Sequence, residues 1–337
     1  MCDILCVVHD PGGALAVAPV LSLMSHFPVE VHAGEWAANM LREKGIASVP
    51  MHKDLSPSEA ESILSTVAPK VLLTGTSWGG NAEQVLRNAA RRRGIPSVVV
   101  LDFWSNYSLR FRFADVSLQD MPDIICIMDE GARQEMIEEG FRPELLEISG
   151  QPHLEALTLD SARAQTSQTD RFMFLSQPDL TNGKSVHGRP LLSSLFEEIG
   201  RVAASRERRL QLLFKPHPKE APPELPALRA LCQSELVDVV LVAGSLPLVD
   251  VLEGVEVVAG GTTMGLFEAR ARGIGASAIV SSAVPASLQA ALDDAGIRVQ
   301  TAPLCNGIFD HEHTDPPVGW HAGASARVAN IITRIMT

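Results

Sequence analysis

The feature that most constrains this chain is residues 257–269, which run Val-Val-Ala-Gly-Gly-Thr-Thr-Met-Gly-Leu-Phe-Glu-Ala. The apolar start is typical of a buried strand. Gly260 and Gly261 permit a sharp turn and a close approach by a ligand, and Thr262 and Thr263 stand where a helix N-cap belongs. Because a helix start offers free N–H groups and a partial positive charge, the stretch predicts an anion site between strand and helix. By itself it fits an ordinary strand-to-helix corner equally well.

A second strand-like run, residues 210–214, ends in Lys215-Pro216-His217-Pro218. Prolines on both sides of His217 stop the strand and stiffen the loop that follows it. We therefore expect Lys215 and His217 at the carboxyl end of a strand, where open parallel sheets bind ligands. A cation and a histidine at that edge suit a phosphate or a pyrophosphate.

The first residues repeat the plan of strand, glycine turn and helix. Residues 4–9 predict a strand, Asp10-Pro11-Gly12-Gly13 a turn, and the apolar residues 14–24 a helix. The turn is not Gly-x-Gly-x-x-Gly, so a dinucleotide fingerprint is not supported. His9 and Asp10 are either ligand-facing residues or simply a strand-end histidine and an Asx turn.

Two later predicted strands also end in polar loops, because Thr76 and Ser77 follow one of them and Asp102 the other. Trp104 belongs to residues 103–107, which hold three aromatic side chains in a chain with only 5% aromatic residues. This loop is either a platform on which a sugar or acceptor stacks or a hydrophobic plug between loop and helix.

Composition limits the classes of function. The 337 residues carry a formal net charge of -12, which argues against a surface that wraps nucleic acid. Five scattered cysteines without a Cys-x-x-Cys pair indicate reduced thiols, and neither a signal peptide nor a long apolar run is evident. We expect a cytoplasmic protein without an integral membrane segment. His311 and His313 lack further ligands to complete a metal site, so we predict no metal.

Lys-Pro-His-Pro after a strand, followed later by Gly-Gly-Thr-Thr and Glu-Ala, resembles the C-terminal half of the GT-B superfamily. That superfamily holds nucleotide-sugar glycosyltransferases and UDP-N-acetylglucosamine 2-epimerase-like enzymes, and bacterial capsule and surface-polysaccharide transferases are the most similar in character. The resemblance implies an α/β protein with two Rossmann-like parallel α/β domains that face a central cleft. It implies an acceptor-side domain over residues 1–160, a nucleotide-sugar-binding domain over residues 171–320, and a terminal helix over residues 321–337 that packs back on the first domain. A polar linker is predicted at residues 161–170.

The resemblance also implies roles for particular residues. Nucleotide and phosphates would be held by Gln177, Lys215, His217, Gly261, Thr262 and Thr263, with Glu268 on the ribose. Acceptor or sugar would lie near Gly12, Gly13, Thr76, Ser77 and Trp104. The catalytic base would be Asp10, with His9 and Asp102 as the other candidates. Strand alternation would turn either His9 or Asp10 toward the core, and we favour Asp10 as the base because a buried charge costs more than a buried neutral imidazole.

The implied activity is a metal-independent glycosyltransferase that needs no cofactor and acts in bacterial surface glycan or glycoconjugate biosynthesis. Its partners would be a nucleotide-sugar donor and a glycan, lipid-linked or small-molecule acceptor, and a homodimer is possible. One alternative is a 2-epimerase or hydrolase, although those epimerases usually carry an early Gly-Thr-Arg-Pro-Glu-like loop where this chain has Asp10-Pro11-Gly12-Gly13. A glycerol-phosphate or similar transferase is a variant, and a non-catalytic binding subunit is a further alternative.

Overall fold

The computed structural model describes residues 2–77, 80–111, 121–159, 169–177, 189–218, 220–302, 305–310 and 320–337. The chain divides into two compact units. The first comprises Met1–Ala156, Ala286–Leu288 and Gly319–Thr337, and the second comprises Leu157–Pro285 and Gln289–Val318. Most of the linker predicted at residues 161–170, together with His311 and His313, lies outside the described residues.

The first unit is built on a parallel sheet of seven strands. The strands are β1 Ile4–Val8, β2 Val29–Ala33, β3 Val49–Pro50, β4 Val71–Thr74, β5 Ser97–Val100, β6 Ile124–Ile127 and β7 Leu146–Ile148. Their order is β3-β2-β1-β4-β5-β6-β7. Every residue of β1, β4, β5 and β6 is buried, as expected for parallel strands with both faces covered.

Helices alternate with these strands. They are α1 Pro11–Leu23, α2 Glu35–Glu43, α3 Pro57–Val67, α4 Ala82–Arg92, α5 Tyr107–Phe111, α6 Glu130–Glu138 and α7 Pro152–Leu159. The start of α3 follows from local chemistry, because the Ser56 hydroxyl accepts the Glu59 N–H while the Glu59 carboxylate accepts the Ser56 N–H. Pro57 fits the first helical position, where its missing N–H costs nothing.

The second unit repeats the design with six parallel strands in the order β10-β9-β8-β11-β12-β13. The strands are β8 Arg171–Leu175, β9 Leu210–Lys215, β10 Val237–Leu241, β11 Val257–Gly260, β12 Gly275–Val280 and β13 Arg298–Thr301. The helices are α8 Arg189–Arg206, α9 Leu225–Leu231, α10 Leu248–Val251, α11 Met264–Ala271 and α12 Ala286–Asp294. The core is rich in phenylalanine, and Phe172, Phe174, Phe196, Phe214 and Phe309 are at most 1% exposed.

The last helix, α13 Ala324–Met336, belongs to the first unit. Val328, Ile331 and Ile332 join the apolar core that includes β1 and α1. The Glu155 carboxylate in α7 accepts the Gly323 N–H and, at 2.8 Å, the Ser325 N–H, so a side chain from another helix fixes the start of α13. In the part of the chain that the structure describes, no helix is long and apolar enough to cross a membrane.

The predicted pair of parallel α/β units is confirmed, with a separate sheet in each. The differences concern short helices. The helices α5, α7 and α9, which are 5, 8 and 7 residues long, were not predicted from the sequence. Pro226 falls in the first turn of α9, where proline is tolerated.

Candidate functional site

In each sheet the predicted site residues lie at or next to the point where the strand order reverses. In the first sheet the chain passes from β1 to β2 toward one edge and from β4 to β5 toward the other edge. In the second sheet it passes from β8 to β9 toward one edge and from β11 to β12 toward the other. Ligands of open α/β sheets bind outside the carboxyl ends of strands at such points. We call two groups of residues the first-unit site and the second-unit site. The first-unit site consists of His9, Asp10, Thr76, Ser77, Asp102 and Arg110, which follow β1, β4 and β5. The second-unit site consists of Gln177, Lys215, His217, Gly261, Thr262, Thr263 and Glu268, which end or follow β8, β9 and β11.

Asp102 is the centre of a charged network in the first-unit site. Its Oδ1 accepts a hydrogen bond from Thr76 Oγ1 at 2.9 Å and a charge-assisted bond from Arg110 Nη1. Arg110 Nη1 also donates to Thr76 Oγ1 at 2.9 Å, and the side chains of Asp102 and Arg110 are only 15% and 12% exposed. The second oxygen, Oδ2, lies so close to Gly12 that any side chain at position 12 would overlap it. Gly12 is therefore needed for the close approach of α1 to Asp102.

His9 and Asp10 lie beyond the last residue of β1, and their side chains are 16% and 15% exposed. The two side chains are almost equally exposed, so burial does not single out one of them as the residue that alternation turns toward the core. His9 Nε2 and Asp10 Oδ1 are 3.7 Å apart, so the two groups act as neighbours. Either can present a polar atom at the carboxyl edge of the sheet.

Trp104 is inside the first unit. Its side chain is 1% exposed, its indole N–H donates to Asp129, and its ring centre is 5.7 Å from that of His321. Burial lowers the pKa of His321 to about 4, so this imidazole is neutral at physiological pH. Of the two alternatives for the aromatic loop, the structure favours the hydrophobic plug and not the sugar-stacking platform.

Glu83, for which the sequence predicts no role, is the main addition to the first-unit site. It lies in the first turn of α4 and is 4% exposed. Its carboxylate accepts the His9 N–H at 3.1 Å and the Ser77 Oγ–H at 2.8 Å. These bonds join the loop after β1 to the loop after β4.

Lys215 is the last residue of β9, and it is 7% exposed. Its Nζ donates to the Gly244 carbonyl at 2.9 Å and to the Ala243 carbonyl at 3.4 Å, in the loop after β10. Burial lowers the pKa of Lys215 to about 8, and the charge of Glu268 partly opposes this change. The amine is thus protonated at neutral pH and carries its charge at the carboxyl edge of the second sheet.

A second buried glutamate orients the histidine of the second-unit site. Glu220 is 6% exposed, accepts the His217 N–H at 3.2 Å and accepts the Ser176 Oγ–H at 2.7 Å. Ser176 follows β8, the neighbour of β9, so Glu220 joins two adjacent loops as Glu83 does in the first unit. The sequence signal for it is an acid three residues after His217, inside a turn that its own N–H closes at 2.9 Å.

The remaining second-unit residues surround the start of α11. Thr263 is the N-cap of α11 and its hydroxyl accepts the Gly265 N–H, which confirms the predicted cap. Gln177 Nε2 donates to the Thr262 carbonyl at 2.9 Å, and the Gln177 amide lies where a side chain at Gly261 would be. Gly261 is therefore required for this packing, and the helix start carries the N–H groups and positive dipole that bind anions. Glu268 is partly exposed in the second turn of α11.

Among the residues that the structure describes, no three His, Cys, Asp or Glu side chains form a group able to hold a metal ion. The positive groups of the two sites are Arg110 in the first unit and Lys215 with the α11 N-terminus in the second. The chemistry available is hydrogen bonding, charge pairing with an anion and proton transfer by a carboxylate or an imidazole.

No protein-family model matches the chain, and no curated protein matches it. Solved structures match it over nearly the whole length. The UDP-GlcNAc 2-epimerase of Methanocaldococcus jannaschii, in complex with UDP-GlcNAc and UDP, is 11% identical with a TM-score of 0.68, over 98% of this chain and 99% of that one. The UDP-GlcNAc 2-epimerase of Neisseria meningitidis, bound to UDP-GlcNAc, is 13% identical with a TM-score of 0.67, over 98% of this chain and 100% of that one.

A glycosyltransferase shares the same architecture. The glycotransferase of kitacinnamycin is 13% identical with a TM-score of 0.63, and the match covers 100% of both chains. Identities this low establish the fold and nothing finer. The structural matches, together with the two parallel sheets, show that the chain has the GT-B fold.

Proposed function

We propose that this chain is an enzyme that transfers a sugar from a nucleotide-sugar donor to an acceptor hydroxyl, and that it binds the nucleoside diphosphate at the second-unit site. The observation that supports this most is the placement of the α11 N-terminus, Lys215 and His217 at the carboxyl edge of the same sheet. Each of these groups favours a phosphate, and together they suit the two negative charges of a diphosphate leaving group.

In this reaction the bond between the sugar C1 and the diphosphate oxygen breaks, and the acceptor oxygen bonds to C1. The acceptor proton passes to a base on the protein. Lys215, His217 and the N–H groups of α11 would stabilise the charge that develops on the departing diphosphate. Gln177 and Gly261 would act by holding the start of α11 in place, and Glu268 would bind the ribose hydroxyls.

The base is assigned to Asp10. Its carboxylate is partly exposed and lies beside the His9 imidazole, which can share or pass on the proton. Asp102 is the less suitable base, because Oδ1 already accepts hydrogen bonds from Thr76 and Arg110. We assign Asp102, with Thr76 and Arg110, to orienting a hydroxyl of the sugar or acceptor.

A second candidate, 2-epimerisation of a nucleotide sugar, is favoured by the UDP-GlcNAc 2-epimerases among the structural neighbours. Epimerisation would use the same phosphate-binding groups of the protein. The base would remove a proton from the sugar ring instead of a proton from an acceptor hydroxyl. The loop Asp10-Pro11-Gly12-Gly13 differs from the early loop usual in those epimerases, and this difference favours transfer.

The test is to incubate the chain with UDP-GlcNAc, first alone and then with candidate acceptors, and to follow the sugar by NMR. Transfer predicts that UDP is released only when an acceptor is present. Epimerisation or hydrolysis predicts a new sugar signal without an acceptor. Other nucleotide sugars are screened in the same way, and nucleotide binding without turnover of any of them would contradict both enzymatic proposals.

A further inference from the structure

The loops after β1 and β4 are joined by a single buried carboxylate. Glu83 Oε1 accepts the His9 N–H at 3.1 Å and Glu83 Oε2 accepts the Ser77 Oγ–H at 2.8 Å. Since β1 and β4 are adjacent parallel strands, these loops flank the switch point of the first sheet. One loop carries His9 and Asp10, and the other carries Thr76 and Ser77.

Local helix formation does not account for this carboxylate. The oxygens of Glu83 bond outside α4, and the Asn81 side chain at the N-cap of α4 instead accepts the Leu55 N–H at 2.7 Å. A buried carboxylate is costly, and an apolar residue of similar volume is often the more stable choice. The retention of a charged group here therefore indicates a role in fixing the two loops.

The groups around Glu83 have opposite effects on whether its carboxylate is ionised. Arg87, one turn later in α4, is 3% exposed, donates to Thr74 Oγ1 at 3.2 Å and lies 5.5 Å above the Phe111 ring. Its charge favours ionised Glu83, as do the bonds from His9 and Ser77.

Burial and the charge of Asp10 favour the protonated form, and the buried Cys6 thiol of β1 also faces the carboxylate. Burial is the largest of these effects and raises the pKa of Glu83 to about 7.

We propose that Glu83 is a positioning residue of the first-unit site, which fixes the loop carrying His9 and Asp10 against the loop carrying Ser77 and tightens this link when its carboxylate is ionised. The proposal rests on the proposed function where it concerns turnover. The placement of the loops is independent of that function and can be measured separately.

Three variants separate the hydrogen bonds from the charge. Glu83→Gln keeps an oxygen for the His9 N–H and an amide for Ser77 Oγ, but it cannot ionise. Glu83→Ala removes both bonds. Glu155→Gln is the matched control, because Glu155 is also a buried carboxylate of the first unit that accepts backbone N–H groups, but it lies at the start of α13.

The first experiment follows hydrogen exchange of the His9 amide by NMR in the full chain, corrected for the intrinsic effect of pH. Under native conditions the relevant exchange of the His9 amide is through local opening that leaves Glu83 buried. For this exchange in the unaltered protein we expect the protection factor to rise about fivefold between pH 6 and pH 8, because an ionised acceptor roughly doubles the strength of a hydrogen bond. Glu83→Gln should show a flat profile, and Glu83→Ala should lose protection at every pH. Glu155→Gln should match the unaltered protein. Unchanged His9 protection in Glu83→Ala would overturn the proposal.

The second experiment measures turnover against pH. Turnover in the unaltered protein should rise through about pH 7, and Glu83→Gln should lose this limb while keeping substantial activity. Glu83→Ala should lower kcat more than it changes KM for the donor, because the donor phosphates are assigned to the other unit. A limb near pH 7 that persists in Glu83→Gln would assign it to another group and overturn the role of the charge. If the unaltered chain turns over no nucleotide sugar, the proposed function fails while the exchange experiment still decides whether Glu83 positions the loops.

Discussion

Replacing Glu83 by glutamine should change how the stability of the first unit depends on pH. The pKa of Glu83 is raised from 4.5 to about 7 by burial, so between these values the folded protein holds a proton that the unfolded chain has released. The protonated Glu83 side chain makes its full contribution to the stability of the folded state below about pH 4.5. This contribution is lost as the pH rises through about 7. At about 1.4 kcal/mol per pH unit, the whole effect is about 3 kcal/mol.

Because glutamine does not titrate, the free energy of unfolding of Glu83→Gln minus that of the unaltered protein should increase by up to about 3 kcal/mol from pH 5 to pH 8. Other groups titrate alike in both proteins, so their effects cancel in this difference. The sign follows from the direction of the pKa change, and the size is an upper limit because the unfolded chain is treated as fully solvated.

The chain provides a selective assay. All four tryptophans, at positions 36, 78, 104 and 320, fall within the first unit, so urea unfolding followed by tryptophan fluorescence reports on that unit. The control is Glu43→Gln on the exposed end of α2, which should change stability by at most about 0.5 kcal/mol at every pH. A difference between Glu83→Gln and the unaltered protein that stays constant with pH would show that the pKa of Glu83 is not raised in the folded protein.

Three further predictions concern other buried groups. Burial lowers the pKa of His321 to about 4, so unfolding stability should fall as the pH drops from about 6.5 to 4, and His321→Asn, which tolerates the φ of 54° at this position, should remove this acid dependence in the fluorescence assay. Lys215→Met should weaken UDP binding about 10- to 150-fold in calorimetry, and the decline of affinity expected as the pH rises through about 8 should be absent from this variant. Glu220→Ala should weaken UDP binding while Glu220→Gln retains it, because only the alanine removes the hydrogen bonds that Glu220 makes with the His217 N–H and the Ser176 hydroxyl. Equal affinities in the two Glu220 variants would show that Glu220 does not orient His217.

The fold could be predicted from the sequence because each unit repeats a local pattern. Buried apolar runs end in glycine or proline turns and lead into amphipathic helices, and this pattern fixes parallel α/β units without knowledge of distant contacts. The position of Lys215 at a strand end and the cap at Thr263 follow from their immediate neighbours in sequence. Short helices such as α5 lack enough residues to show a period, so they were not predictable in this way.

The residues that support the two sites could not be predicted from the sequence, because they contact residues that are far away along the chain. Glu83 and His9 are 74 residues apart, and nothing near Glu83 indicates that its carboxylate reaches another loop. The sequence left open whether Trp104 forms an exposed platform or a buried plug, because Asp129 and His321, which contact it, come from β6–α6 and the C-terminal segment. A sequence pattern identifies residues at strand ends, while burial and pairing between loops depend on the assembled sheet.

We propose that the second unit binds a nucleoside diphosphate through the α11 N-terminus, Lys215 and His217. Hydrogen exchange followed by mass spectrometry, with and without saturating UDP, GDP, CDP or dTDP, tests it most directly. We expect at least one of these nucleotides to slow exchange in peptides covering residues 213–218 and 259–267 of the second unit, and we expect Lys215→Met to weaken this protection. Protection confined to first-unit peptides such as residues 4–13, or no protection by any of the four, would contradict the account.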